Sequence, residues 1–243
     1  MTGVLLTRPL ESGSRLANRL ATAGIPVVTR PLLALSPLPL TAATRTMVLD
    51  LDQYDHVIFV SQYAAEMGAA ALEQYWPQWP MIRFYAVGPR TADVLASFGV
   101  MAQAPDLASS EGLLALPGLT DVSGQKVLIV RGTTGREYLA DTLRERGATV
   151  TYLPVYERTA ISAPDLGAEI TEHGVTVAVV TSLEILGALV AALTPGEVAK
   201  LTVICASARI AAVAETEGFA AVHDAGGADD DTMYDAVCAL LRP

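Results

Sequence analysis

Cysteine is nearly missing from this chain. Cys205 and Cys238 are the only two thiols in 243 residues, with no CxxC spacing and no histidine beside either. A disulfide framework is excluded, and two reduced, buried thiols are expected. Histidine is almost as scarce: His56, His173 and His223 are scattered and form no HxxxH or HExxH pattern, so no metal is expected. Lysine is reduced to Lys126 and Lys200 against fourteen arginines, and acidic residues dominate to give a net charge of −10. Binding nucleic acid needs a basic face that neutralises phosphate, so no such partner is expected. No apolar run reaches the roughly 18 residues of a membrane span. Arg8 breaks the opening strand before a signal-peptide core could form. A soluble, cytoplasmic protein without membrane attachment is the expectation.

The common catalytic fingerprints are missing as well. There is no GxGxxG, no GxxxxGK[ST], no GxSxG and no acidic pair at a strand end, which sets aside dinucleotide, nucleoside triphosphate and serine-hydrolase chemistry.

What is present is a large apolar fraction, 51%, with only 17% charged residues. That suits an α/β protein whose central strands are covered on both faces. The chain also repeats itself. VLLTRPLESGSRLANRLATAGIPV from Val4 matches VLIVRGTTGREYLADTLRERGATV from Val127 at a constant offset of 123, pairing Arg8 with Arg131, Leu16 with Leu139 and Gly24 with Gly147. Each copy is a strand, a helix with leucines at helical spacing, and a glycine stop before the next strand. HVIFVSQYAAEMGAAAL from His56 likewise resembles TVAVVTSLEILGALVAAL from Thr176, and RFYAVGPRTADVLASFG resembles LTVICASARIAAVAETEG. The order is therefore A (4–34), B (56–116), A′ (127–156) and B′ (175–241). Strands are expected at 4–7, 57–61, 84–87, 127–130, 177–181 and 201–205, each leading into a helix, as in doubly wound sheets. Two lobes of flavodoxin-like type follow. Tandem pairing of A with B and A′ with B′ stays open beside the exchange of A with B′ and A′ with B. Two extended, proline-bearing segments after the A copies favour the exchange, and their prolines suit edge or linker strands.

In open parallel sheets ligands lie beyond the carboxyl ends of the strands. Those positions hold Thr7-Arg8, Ser61, Gly88-Pro89-Arg90-Thr91, Arg131-Gly132 through Arg136, Thr181-Ser182 and Ser207-Ala208-Arg209. The candidate binding residues are Arg8, Ser61, Gly88, Thr91, Arg131, Gly132, Thr181, Ser182, Ser207 and Arg209. Each single Ser or Thr reads first as a helix N-cap, but their recurrence at six strand ends, with free amides and guanidiniums, suits several anionic groups on one ligand. Tyr156 lies in an extended crossover, where its phenol either serves a site or packs as a linker aromatic. The acidic run Asp229-Asp230-Asp231 reads as the cap of the last helix. Both an enzyme and a non-catalytic, two-lobed binding or regulatory module for a small polyanion fit these residues.

VLLTRP, VSQYA, YAVGPRTADVL, VLIVRGTTGRE, PVYERT, VVTSLEIL and ADDDTMYDAV, in this order along essentially the whole chain, resemble the uroporphyrinogen-III synthase family. The resemblance implies the exchanged arrangement: residues 1–33 with 160–243 as one lobe, 38–155 as the other, 34–37 and 156–159 as linkers forming a two-stranded β ladder, and an active site between the lobes. It implies cyclisation of linear hydroxymethylbilane, with inversion of ring D and loss of water, by a monomer needing no cofactor or metal. Tyr156 matches the family's acid for hydroxyl departure, and Thr91 and Ser182 match substrate-contacting positions. Ser207 and Ile210 depart from the Gly and Thr of many members, so Ser207 or Arg209 is expected to replace the contact otherwise made at 210.

Overall fold

Short runs rich in Val, Ile and Leu alternate with helical segments, and in the computed structural model, which describes residues 3–241, they build two largely parallel sheets. The strands are β1 (Gly3–Leu6), β2 (Val27–Thr29), β3 (Leu33–Pro37), β4 (His56–Phe59), β5 (Arg83–Ala86), β6 (Ala102–Gln103), β7 (Lys126–Gly132), β8 (Thr149–Ala160), β9 (Val175–Val180), β10 (Thr202–Cys205) and β11 (Ala221–Asp224). One sheet has the order β2-β1-β9-β10-β11 and the other β3-β8-β7-β4-β5-β6. All residues of β1 and β4 are buried, as helices on both faces of a parallel sheet require.

Contacts divide the chain into a unit of residues 1–35 and 159–243 and a unit of residues 36–158. In the first, β1 pairs in parallel with β9 and β2. In the second, β7 pairs in parallel with β4 and β8. The sheets thus share one order once A is combined with B′ and A′ with B. The first has the flavodoxin-like sequence 2-1-3-4-5, and the second carries the same neighbours in permuted chain order.

The leucines read from the repeat do the packing. Leu16, Leu20 and Leu143 are fully buried and Leu139 nearly so, each worth about 1.5–3 kcal/mol of transfer free energy. Gly24 and Gly147 follow these helices with φ of 78° and 87°, a left-handed stop that a side chain would strain. One core surrounds the first sheet, including Leu5, Val179, Ile204 and Met233. In the second unit Ile58, Leu113, Ile129 and Leu143 belong to a further cluster. The WPQWP loop is held by its indoles, Trp76 donating to Val48 C=O and Trp79 to Phe98 C=O.

Residues 34–37 and 156–159 lie inside β3 and β8. Leu38 N–H donates to Val155 C=O and Ile161 N–H to Leu32 C=O, so numbers rise on one strand as they fall on the other and the two run antiparallel. The prolines expected on edge or linker strands include Pro154, which sits within the twelve-residue β8, next to β7 rather than at the rim. It is tolerated because it pairs with Arg131 where the register slips between Arg131 and Gly132. A bulge is where a missing N–H does least harm. Strands β6 and β11, outermost in their sheets, have no expected counterpart: AQ and AVHD are too short and mixed to show a period of two.

Among the described residues no helix is long and apolar enough to cross a membrane. Cys205 and Cys238 are buried free thiols. Burial, with Asp224 alongside, pushes the Cys205 pKa up to about 11, so it stays a protonated packing residue.

Candidate active site

In the second sheet the chain leaves β4 toward β5 and leaves β7 toward β8, in opposite directions, while β4 and β7 are neighbours. A crevice forms at such a switch point, beyond the carboxyl ends of the strands. A pocket of about 240 Å³ lies there, lined by Ser61 after β4, by Arg131 and Gly132 at the end of β7, by Thr134, Gly135 and Arg136 in the following loop, by Ser110, and by Tyr152, Tyr156 and Arg158 of β8.

Tyr156 is 3% exposed. Its ring meets Tyr63 edge-on, with centroids 5.0 Å apart, and Arg158 stands 5.9 Å from the ring centroid. Beneath it is the bare backbone of Gly132, where a Cβ would come within 2.8 Å of the ring. The phenolic oxygen is 3.5 Å from Ser61 Oγ, at the outer limit of a hydrogen bond. Ser61 also caps the Gln62–Glu73 helix by accepting from Ala64 N–H. Tyr156 is a seated aromatic of a continuous strand, with register partner Gly132.

Arg131 is 6% exposed. Its Nη1 donates to Glu137 Oε1 at 2.9 Å and its guanidinium lies 4.5 Å from the Tyr152 ring centroid. Tyr152 donates its hydroxyl to Glu137 Oε2. That hydrogen bond, followed by the hydrogen bond and charge of Arg131 and the charge of Arg144, holds the Glu137 carboxyl below its usual pKa. Burial, followed by Glu137, raises the Tyr152 phenol. Arg136 is ion-paired to Glu111 at 2.7 Å but 64% exposed, and a surface pair of this kind exchanges readily for another carboxylate. Guanidiniums, aliphatic hydroxyls and two tyrosine phenols therefore line one small pocket, an environment for carboxylates with weak acids among the donors.

At the equivalent switch point of the first sheet the arginine is paired within its own unit. Arg8, the counterpart of Arg131, is 7% exposed, donates to Asp230 at 3.0 Å and also bonds Ala228 C=O. Burial lowers its pKa while Asp230 and Asp229 oppose the shift. Arg8, expected to bind ligand, is paired with a buried carboxylate of its own unit. The acidic run therefore divides its work. Asp229 accepts from the backbone N–H groups of Asp231 and Thr232, while Asp230 and Asp231, in the helix's first turn, also pair with Arg8 and Arg19.

Of the other candidates, Gly88 is the N-cap of the Pro89–Ser97 helix, where a Cβ would lie 2.5 Å from that of Ala108. Thr91 is buried in that helix's first turn. Neither lines the pocket. Thr181 and Ser182 follow β9, and Ser182 caps the Leu183–Ala192 helix. Ser207 starts the Ala208–Ala214 helix without a side-chain cap bond, and Arg209 is exposed beside it. Among the described residues no cluster of His, Cys, Asp or Glu is placed to hold a metal ion.

Tyr152, Ser110, Thr134, Arg136 and Arg158 join the site without being among the candidates. Arg136 and Thr134 stand in the RGTTGRE segment, and Arg158 lies two residues after Tyr156 in β8, beyond the register slip that separates both from Tyr152. Ser110 carries no sequence signal, since only the fold brings its segment to the pocket.

Fold and pocket define a class: doubly wound α/β proteins with Arg, hydroxyl and amide groups gathered at strand ends. Residues 14–235 match the family described as uroporphyrinogen-III synthase HemD. Uroporphyrinogen-III synthase of Escherichia coli strain K12 is 33% identical, covering 96% of this chain and 99% of that protein. The Salmonella typhimurium enzyme is 34% identical over the same shares. Among solved structures, uroporphyrinogen-III synthetase from Helicobacter pylori superposes with a TM-score of 0.65 at 15% identity, covering 99% of this chain and 100% of that one. A mutant of the Thermus thermophilus synthase gives 0.60 at 15% identity, covering 98% and 99%; at such identity the likeness concerns the fold. This chain belongs to the uroporphyrinogen-III synthase family.

Proposed function

We propose that this chain is a uroporphyrinogen-III synthase, a cyclising lyase of tetrapyrrole biosynthesis that closes hydroxymethylbilane to uroporphyrinogen III with inversion of ring D and release of water. The observation that carries the reading to particular atoms is the switch-point pocket, where Tyr156 stands among Arg131, Arg136 and Arg158. The substrate bears eight carboxylates. Guanidiniums at strand ends attract them locally, while repulsion by the net charge of −10 is largely screened beyond a Debye length of roughly 8 Å.

Tyr156 delivers a proton to the terminal hydroxyl as its C–O bond breaks, releasing water and leaving an azafulvene. The substituted α-carbon of ring D attacks that electrophile to give a spiro-pyrrolenine, which fragments and recloses inverted. The proton released on rearomatisation balances the one Tyr156 gave. Holding both chain ends excludes direct closure, so positioning contributes much of the effect. Arg131, Ser61 and Gly132 belong to this pocket, and Thr181, Ser182, Ser207 and Arg209 remain strand-end binding candidates of the other unit. We assign residues 1–33 with 160–243 and residues 38–155 to the two lobes of such an enzyme, acting as a cytoplasmic monomer.

Product-isomer analysis is the test. Hydroxymethylbilane supplied to the purified chain should give type III uroporphyrinogen, read as the oxidised porphyrin after chromatography. Only the symmetrical type I ring, which forms unaided, would overturn the assignment.

A further inference from the structure

Catalysis by a phenol depends on where its oxygen stands, and in this protein one residue without a side chain sets that position. The Tyr156 ring lies over Gly132, its register partner on β7. A Cβ there would approach Cε2 and Cζ to 2.8 Å and the phenolic oxygen to 3.2 Å. The first two distances lie inside van der Waals contact, so the ring would have to move. It has little room to do so, since Tyr63 closes one edge at 5.0 Å and Tyr156 is almost wholly buried. The repeat supplies an internal comparison: at the same offset of 123, Gly132 corresponds to Pro9 and Tyr156 to Leu33. The half without the phenol is also without the glycine, although it keeps the arginine, Arg8, that precedes it.

We propose that Gly132 is a positioning residue for the reaction: its bare backbone seats the Tyr156 ring and thereby fixes the phenolic oxygen near Ser61 in the pocket. The inference rests on the synthase reading for its kinetics but has a readout that does not. Gly132→Ala should lower kcat about tenfold to a hundredfold, the usual effect of misplacing a reacting group by about an ångström, while KM moves less than about threefold. In a Tyr156→Phe background the same substitution should change kcat no more than about twofold, because the oxygen it misplaces is already gone. Independently of turnover, 3-fluorotyrosine labelling should show the ¹⁹F resonance of Tyr156, assigned through Tyr156→Phe, shifted in Gly132→Ala.

An equal loss in both backgrounds, an unmoved resonance, or wild-type turnover by Tyr156→Phe would each overturn the proposal. Should Gly132→Ala fail to fold, Gly132→Ala/Tyr156→Leu decides, since restored folding places the clash on the ring and continued failure removes Tyr156 from the account. If the wild-type chain yields only type I product, the synthase reading fails and the ¹⁹F shift alone judges the seat.

Discussion

Replacing Tyr156 by Phe removes one oxygen and leaves the ring on Gly132. That oxygen's approach to Ser61 is long, 3.5 Å, so stability should change by no more than about 1 kcal/mol. The rate should fall about a hundredfold, the low end for general-acid assistance, because water and Ser61 partly substitute; type III should remain the main product. Steady-state kinetics and isomer analysis check both. Arg8 is expected to behave in the opposite way. Its guanidinium and Asp230 are 9% and 8% exposed, and removing one member of a buried pair leaves an uncompensated charge. Arg8→Met should cost about 3–5 kcal/mol in denaturant unfolding, with the KM of the folded fraction unchanged. An altered KM at full stability would restore Arg8 to the binding set.

At the scale of elements, the Asp230–Leu241 helix depends on the residue before it. Asp229→Ala removes the acceptor for two backbone N–H groups and should lower the unfolding free energy by about 0.5–2 kcal/mol. Asp229→Ser, which can still cap, should recover most of it. The loop after β7 carries a pH dependence. The Glu137 carboxyl is depressed chiefly by the Tyr152 hydroxyl. Whatever it contributes is therefore present above its unfolded pKa of about 4.3 and is lost as the pH falls through the lower folded value. Tyr152→Phe removes the largest cause of the depression, so the Glu137 titration followed by NMR should move upward and the Arg131 pair should fail at a higher pH. An unmoved titration would show that Tyr152 packs against Arg131 without tuning its partner.

At the scale of the molecule, residues 36–158 form an uninterrupted stretch with five parallel strands, β4 to β8, in one sheet. The other unit needs both chain ends. Expressed alone, 36–158 should melt cooperatively in calorimetry, whereas 159–243 without the first 35 residues lacks β1 and β2, leaves the inner strand β9 with an open edge and should not. A cooperative transition in the latter would show that β9, β10 and β11 suffice without β1.

Local signals determined much of this by themselves. Apolar runs, leucine spacing and glycine stops follow from backbone sterics and burial, which is why the repeat located β1, β4, β5, β7, β9 and β10 to within about two residues. Alternation along PVYERT held Tyr156 and Arg158 on one face because strand geometry has a period of two. Tertiary structure decided what depends on distant partners. Which A joins which B is a matter of strand pairing, settled when β1 hydrogen-bonds with β9. Arg8 and Arg131 occupy equivalent places in equivalent strings, yet one meets the buried Asp230 and the other lines a pocket. The difference lies in residues 222 and 6 positions away, and only the folded chain brings the first of these within reach.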